Sequence, residues 1–156
     1  MSGTYHVSNL QGAQVDAAFP LANACLGATD LASWRGTASR FAGRADRGLI
    51  AAERDGYITG LLAYAVLPTP SGGRELVINA LGVLELLYPE HVGVALVEAA
   101  RTIARDLDCG EVVLAVPEQS VPWASALVSS GAWHDAGRLV TVSAQPVTFE
   151  AKRRNV

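Results

Sequence analysis

The chain has 156 residues, a formal net charge of −3, 50% hydrophobic residues and only 17% charged residues. This length predicts one domain over residues 1–156, with a core from about 4 to 144 and a C-terminal tail from 145 to 156. The negative charge argues against a broad nucleic-acid surface, and the sparse charge is compatible with a homodimer interface or a large apolar cleft. No signal peptide or membrane-length apolar span is evident, so we expect a cytoplasmic protein that does not enter a membrane.

The first third of the chain predicts one strand and two helices. The strand is expected from Thr4 to Val7, and apolar residues spaced three and four apart predict a helix from about Gln11 to Leu26. Pro20 removes a backbone hydrogen bond inside that helix and is expected to bend it. A second helix follows, capped by Thr29 or Asp30.

The middle of the chain predicts three successive strands. Two apolar runs on either side of Asp55-Gly56 are typical of a β-hairpin, and a third strand is expected from about Glu75 to Glu85. Gly60, inside the second run, indicates a bulge or a close approach of another backbone. Since all three runs are mostly apolar, the sheet is expected to be covered on both faces.

A long helix is expected from Pro89 to Asp108, with Gly93 in its first turn, followed by a short buried strand from Glu111 to Val116. A helix between two strands predicts a crossover and a locally parallel strand pair. The free N–H groups at the start of such a helix form an anion site suited to a phosphate or a diphosphate. A short helix ending at Gly131 and two last strands, Ala132–Ala136 and Arg138–Ala144, complete the expected order.

This order of elements resembles the GNAT-type acyl-CoA N-acyltransferase superfamily. The signature of that family is Gln or Arg, two residues, Gly, one residue, then Gly or Ala, and the segment Glu90–Ala95 matches its Gly and Ala positions as Glu-His-Val-Gly-Val-Ala. The run VLAVPE at 113–118 and the Ser-Gly-Ala-Trp at 130–133 add to the resemblance. It implies an α+β fold with a mixed, mostly antiparallel sheet of six to seven strands, helices on both faces, and one parallel strand pair that splays.

The resemblance also implies where an acyl-CoA co-substrate binds. The diphosphate is held by the backbone amides of a run that here comprises His91, Val92, Gly93, Val94 and Ala95, and pantetheine pairs with backbone groups of Leu81 and Val83. Gly93 has an alternative role as a helix glycine that permits close packing against the sheet. Glu90 stands where the family has Gln or Arg, and it either opposes the diphosphate or stabilises its own helix N-terminus.

Acyl transfer to an amine requires a proton acceptor and polarisation of the thioester carbonyl. By resemblance, Glu85 is the candidate base, and Asn79 is the candidate for holding a water or the amine. The alternatives are an exposed strand-end carboxylate for Glu85 and a hydrogen-bonded core or bulge residue for Asn79. The position where the family often has a tyrosine acid is Leu127, which cannot donate a proton, so Ser125, Ser129 or solvent would have to serve.

Two functions follow as hypotheses. The first is an N-acyltransferase, with acetyl-CoA or another acyl-CoA as co-substrate and a small amine as acceptor. The second is a GNAT-like CoA-binding or interaction module with weakened or no catalysis. No metal is expected, because the three histidines and the two cysteines, Cys25 and Cys109, show no metal-binding spacing.

Overall fold

The structure is a computed structural model that describes residues 4–129 together with 131, 133, 134, 136, 137 and 144. One sheet has the strand order β1-β2-β3-β4-β5. The strands are β1 His6–Asn9, β2 Arg47–Arg54, β3 Tyr57–Pro68, β4 Arg74–Val83 and β5 Glu111–Leu114. The α-helices are α1 Gln14–Ala17, α2 Phe19–Leu26, α3 Leu31–Phe41, α4 Pro89–Asp106 and α5 Ala124–Ser129, and a 3-10 helix spans Glu118–Ser120.

The sheet confirms the expected mixed architecture. The pairs β1–β2, β2–β3 and β3–β4 are antiparallel, and β4–β5 is parallel. Five strands are found in the described part of the chain, below the six to seven expected. The two further predicted strands, 132–136 and 138–144, fall largely outside the described residues, and Trp133 and His134, which are described, are not in a strand.

The hairpin between β2 and β3 turns where the sequence predicts it. Asp55 and Gly56 both have left-handed backbones, with φ of 52° and 82°. Two central residues with positive φ give the turn a twist that matches the twist of the flanking strands. This tight turn fixes the register of the two strands that form the centre of the sheet.

The predicted helix from Gln11 to Leu26 is wrong as a single element. The chain forms the short helix α1 and then α2, with the break at Ala18. Pro20 lies at the start of α2, where the missing N–H costs no helix bond, so the chain restarts a helix there and does not bend one. The next cap is as predicted: Asp30 Oδ1 accepts the Ser33 N–H at 2.8 Å and begins α3.

A helix packs on each face of the sheet, and on each face it lies against a glycine of a strand. On one face, α4 lies so close to Gly60 that a Cβ there would be 2.7 Å from side-chain atoms of Val92 and Leu96. On the other face, a Cβ at Gly82 would be 2.5 Å from Cys25 Cβ of α2. The predicted close approach of another backbone is wrong, because the atoms that contact Gly60 belong to side chains. The alternative, a bulge, lies next to it: Ala52 pairs with Gly60 and Glu53 with Ile58, so Thr59 is the extra residue. The two core clusters, one under α4 and one under α1–α3, meet at β2 and β3.

Candidate functional site

The strands β4 and β5 diverge after four paired residues. Their pairing runs from Glu75 with Glu111 to Ile78 with Leu114, and the Ala115 N–H donates to the Ile78 carbonyl at 2.9 Å. Beyond this point β4 continues to Val83 beside β3 alone. The expected splay of the parallel pair is confirmed.

A bulge at Asn79 lies at the start of the splay. Ala63 of β3 pairs with Ala80, and the next residue, Tyr64, pairs with Ile78, so Asn79 is the extra residue of β4. Its side chain is exposed. Asn79 is therefore a bulge residue, as one of its two predicted alternatives states. Its role in holding a water or the amine remains a prediction.

The bulge also decides which backbone groups of β4 point into the splay. The Leu84 N–H donates to the Thr59 carbonyl of the β3 side at 2.8 Å. Because residues of an antiparallel strand alternate in the direction of their N–H and C=O groups, Gly82 also faces β3, whereas Leu81 and Val83 face the open side. The two residues that the resemblance indicates for pantetheine thus turn their backbone groups toward the splay, where the Val83 backbone also bonds to the Cys25 thiol.

A cavity of about 310 Å³ fills this opening, and we name it the splay cavity. Its walls come from the end of β4, the end of α2, the start of α4 and the segment after β5. The lining residues are Ala24, Cys25, Leu81, Gly82, Val83, Pro89, Gln119, Pro122 and Trp123. Apart from backbone groups, the lining is mostly apolar, as small-molecule sites usually are.

Cys25 contributes a half-buried thiol to the splay cavity. Burial raises the pKa of Cys25 above its usual value, and a hydrogen bond from the Val83 backbone opposes that shift in part. The thiol therefore stays protonated at neutral pH. Cys25 and Cys109 are both free and half-buried.

The N-terminus of α4 borders the splay cavity at Pro89. The first N–H groups of a helix have no intrahelical acceptor. Pro89 has no N–H, the His91 N–H donates to the Tyr88 carbonyl at 3.1 Å, and Val92 is fully buried. The Glu90 N–H is therefore the group of this turn that is left for a ligand. The Tyr88 and His91 rings stack in front of this turn, with centroids 5.1 Å apart and planes 11° apart.

Gly93 does not lie in the first turn of its helix, contrary to the prediction. Because α4 begins at Pro89, Gly93 is its fifth residue and is buried. A Cβ at Gly93 would overlap the indole ring of Trp123. Close packing, the alternative role for Gly93, is therefore what the geometry shows, with Trp123 and not the sheet as the partner.

Glu85 lies outside the splay cavity, two residues beyond the end of β4. Its side chain is 12% exposed, and its Oε2 is 3.7 Å from Nη1 of Arg54. The Tyr5 hydroxyl donates to Oε2 at 3.4 Å, and the Leu87 N–H donates to Oε1 at 3.1 Å. The carboxylate thus links the start of β1, the end of β2 and the loop after β4. It is therefore not an exposed strand-end carboxylate, which was the alternative to a catalytic role. Its role as a base remains a prediction.

Leu127 packs in the hydrophobic core and is 4% exposed. The nearby hydroxyl-bearing residues Ser125 and Ser129 are exposed. The residues of the splay cavity that the sequence did not single out are Cys25, Gln119, Pro122 and Trp123. For Trp123 a signal existed, since a glycine inside an amphipathic helix indicates that a bulky partner lies against it.

No group of three His, Cys, Asp or Glu side chains suited to a metal ion occurs in the described part of the chain. Within that same part, no helix is long and apolar enough to cross a membrane.

The structure is similar to several solved structures. It aligns with the aminoglycoside N-acetyltransferase AAC(6')-Iy in complex with CoA at a TM-score of 0.76 and 10% identity, over 92% of this chain and 96% of that chain. A GNAT family acetyltransferase from Staphylococcus aureus gives 0.72 and 10%, over 90% and 98% of the two chains. A transcriptional regulator from Bacillus halodurans gives 0.74 and 17%, over 90% and 99%.

No protein-family model and no curated protein sequence matches the chain. At identities of 10–17% the structural likeness concerns the fold. Together with the splayed parallel pair and the helix that follows β4, it leads to one conclusion: the chain has the fold of the GNAT acetyltransferases.

Proposed function

We propose that this protein is an N-acyltransferase that moves an acyl group, with acetyl as the first candidate, from acyl-CoA to a small amine. The observation that supports the proposal most is the splay: β4 leaves β5 at Ile78, and the freed edge faces a cavity that ends at a helix N-terminus. A structural neighbour is in complex with CoA, and another is an aminoglycoside acetyltransferase in complex with sisomicin. CoA and sisomicin are ligands of those proteins, and they motivate the choice of acyl-CoA and small amines as the substrate classes proposed for this chain.

The co-substrate is proposed to lie along the open edge of β4. Leu81 and Val83 would exchange backbone hydrogen bonds with pantetheine, as an added strand does. The diphosphate is proposed to bind at the first turn of α4, where the Glu90 N–H has no acceptor and the His91 N–H would exchange the Tyr88 carbonyl for a diphosphate oxygen. Val92 is fully buried behind this turn. Gly93, Val94 and Ala95 lie further along the helix, where N–H groups donate to carbonyls four residues earlier.

The proposed reaction needs few side chains. The neutral amine attacks the thioester carbonyl, a new carbon–nitrogen bond forms, and the carbon–sulfur bond breaks to release the CoA thiolate. A backbone N–H of the β4 edge would stabilise the negative charge that develops on the carbonyl oxygen. Gln119 does not titrate and the Cys25 thiol stays protonated, so the proton lost by the amine is proposed to pass to water, as the leaving thiolate takes one up.

The second candidate is a CoA-binding module without turnover. One observation favours it: Leu127 is buried in the core at the position where the resemblance implies an acid. In this case acyl-CoA binds in the same splay cavity and no acyl transfer follows.

Thermal unfolding with acetyl-CoA tests both candidates. Ligand at roughly 100 times its dissociation constant is expected to add about 2.7 kcal/mol to the free energy of unfolding. If millimolar acetyl-CoA leaves the melting temperature unchanged, both candidates fail. If it binds, release of free CoA thiol in the presence of a panel of amines separates the enzyme from the module.

Cytoplasmic location and homodimerisation remain predictions. An apolar segment between β4 and α4 exposes Leu84, Leu86, Leu87 and Tyr88, with Leu86 95% exposed. Sedimentation at several protein concentrations would show whether two copies associate.

A further inference from the structure

A second cavity lies at the opposite edge of the sheet from the splay cavity. There β1 ends at Asn9, opposite Ile50, while β2 extends back to Arg47. Leu10 still bonds to Leu49, so Arg47 and Gly48 are the residues of β2 without a β1 partner. The loop after β1 and the end of α3 close over this gap. The cavity measures about 510 Å³, within the usual range for small-molecule sites. We name it the arginine cavity.

The walls of the arginine cavity are apolar near the sheet. Leu10 and Leu49 are buried there, and the Leu10 N–H donates to the Leu49 carbonyl at 2.9 Å. Val15 of α1 and Phe41 of α3 add partly buried apolar surface. Such walls favour a ligand with a hydrocarbon or aromatic body.

The opening of the cavity carries three guanidinium groups, from Arg35, Arg44 and Arg47. Arg35 donates to both oxygens of Asp16 at 2.8 and 2.6 Å, and Arg47 lies 3.4 Å from Asp46. Arg44 makes no ion pair with any residue that the structure describes. Three cations and two carboxylates leave one positive charge at the opening.

Tyr64 belongs to the core cluster under α4 and adds a hydroxyl group to the lining of the cavity. The residue is 7% exposed, and its ring lies across Gly48, where a Cβ would be 2.6 Å from the hydroxyl oxygen. The Tyr64 hydroxyl has no hydrogen-bond partner among the described residues, and Tyr64 lines the cavity. Burial raises the pKa of Tyr64, so at neutral pH the hydroxyl is protonated and can donate. The hydroxyl oxygen is not among the fully buried polar atoms without a partner, so it is open to solvent in the cavity and can donate to an acceptor of a bound ligand.

We propose that the arginine cavity binds an organic monocarboxylate with an apolar body. The single excess charge at the opening matches one carboxylate, and the apolar walls match the body of the ligand. The Tyr64 hydroxyl then donates to a polar atom of the ligand. This site is separate from the splay cavity and does not rest on the proposed function.

The test is an NMR titration of the full ¹⁵N-labelled chain with 4-phenylbutyrate, in parallel with its uncharged amide and with inorganic phosphate. We expect the amide resonances of Gly43 and Gly48, which line the cavity, to shift, and that of Gly82 to stay in place. The amide is expected to bind about tenfold more weakly, because it lacks the charge that strengthens hydrogen bonds to guanidinium groups.

Three variants assign the binding to named side chains. Tyr64→Phe keeps the ring over Gly48 and removes the hydroxyl, and Arg44→Gln removes the unpaired charge, so each should weaken 4-phenylbutyrate about tenfold. Arg40→Gln is the matched control, since Arg40 lies on α3, donates to Thr37 and does not line the cavity. The proposal is overturned if Gly43 and Gly48 do not shift at about 10 mM ligand, if the uncharged amide or phosphate binds equally well, or if Tyr64→Phe and Arg44→Gln both bind like the unmodified chain.

Discussion

The splay cavity and the arginine cavity present their polar groups in different ways. In the splay cavity the polar groups are mainly N–H and C=O groups of β4 and α4, and the side chains supply shape. In the arginine cavity the polar groups are side chains brought together from α3, β2 and β3. A site built from backbone depends on strand register and packing, whereas one built from side chains responds to single changes of charge. The same kinds of substitution should therefore change ligand affinity differently at the two cavities.

The largest effect is expected from Gly93→Ala. The added methyl group overlaps the buried indole of Trp123, which must move, so the free energy of unfolding should fall by about 1–3 kcal/mol. Because Trp123 also lines the splay cavity, the stabilisation by acetyl-CoA should fall as well, while 4-phenylbutyrate binding stays unchanged. Urea denaturation with and without each ligand measures both quantities.

Gly36→Ala is the matched control. Gly36 also lies inside a helix, α3, but nothing is within 4 Å of the position of a Cβ there. Alanine is expected to stabilise the protein by about 0.5–1 kcal/mol, since glycine loses more backbone freedom on folding. Equal stabilities for the two alanine variants would contradict the packing of Trp123 against Gly93.

Val83→Pro tests whether backbone groups of β4 bind the co-substrate in the splay cavity. It removes an N–H that points to the open side, so the affinity for acetyl-CoA should fall about tenfold, as for the loss of one hydrogen bond. Leu84→Pro removes the N–H that donates to Thr59, and it should lower the stability of the protein more than Val83→Pro does. Calorimetric titration and thermal unfolding of both variants measure the contrast. If Val83→Pro retains full affinity, pantetheine does not pair with this edge.

Glu85→Gln separates a structural carboxylate from a catalytic one. Glutamine keeps the size of the side chain but loses the charge that faces Arg54, so the protein should lose about 1 kcal/mol of stability. Turnover should change less than about threefold, whereas the loss of a general base costs 10²-fold or more. Glu98→Gln, which breaks an exposed ion pair with Arg101, is the control and should change neither quantity. A hundredfold loss of turnover in Glu85→Gln would instead identify Glu85 as the base.

The smallest effect expected is the protection of Cys25 by bound acetyl-CoA against alkylation. Bound acetyl-CoA should slow alkylation of Cys25, which lines the splay cavity, and leave the rate at Cys109 unchanged. The pKa of the Cys25 thiol is raised by burial, so alkylation should be slow at neutral pH and accelerate as the pH rises and thiolate forms. Peptide mass spectrometry over time gives both rates. Equal slowing of Cys25 and Cys109 would indicate a general change in the protein and not occupancy of the cavity.

The parts of the fold that the sequence predicts correctly rest on neighbouring residues. The Asp55-Gly56 turn, the Asp30 cap and the start of α4 at Pro89 each follow from backbone preferences over a few positions. The mixed sheet follows from the order of the elements, and the splay is implied by the resemblance of that order to the GNAT superfamily. These signals are local, so they are visible in a single chain.

The rest depends on contacts between distant residues. Glu85 meets Arg54 and Tyr5, from positions 31 and 80 residues earlier in the chain, so the candidate base is also part of an ion pair that the sequence does not predict. The arginine cavity gathers residues from Asn9 to Tyr64. No spacing rule predicts such meetings, because they follow from how strands and helices pack together.

The extra residue at Asn79 decides how this strand can vary among relatives. Ile78 and Leu81 both pack in the core cluster under α4, although a spacing of three would place them on opposite faces of a regular strand. The unpaired residue at 79 absorbs that odd step, so every later side chain of β4 stays opposite its partner on β3. A chain that lacked residue 79 would pair Ile78 and Ala80 with consecutive residues of β3 and keep Leu81 opposite Leu62. The length of this strand can therefore differ by one residue at this point without exchanging its two faces.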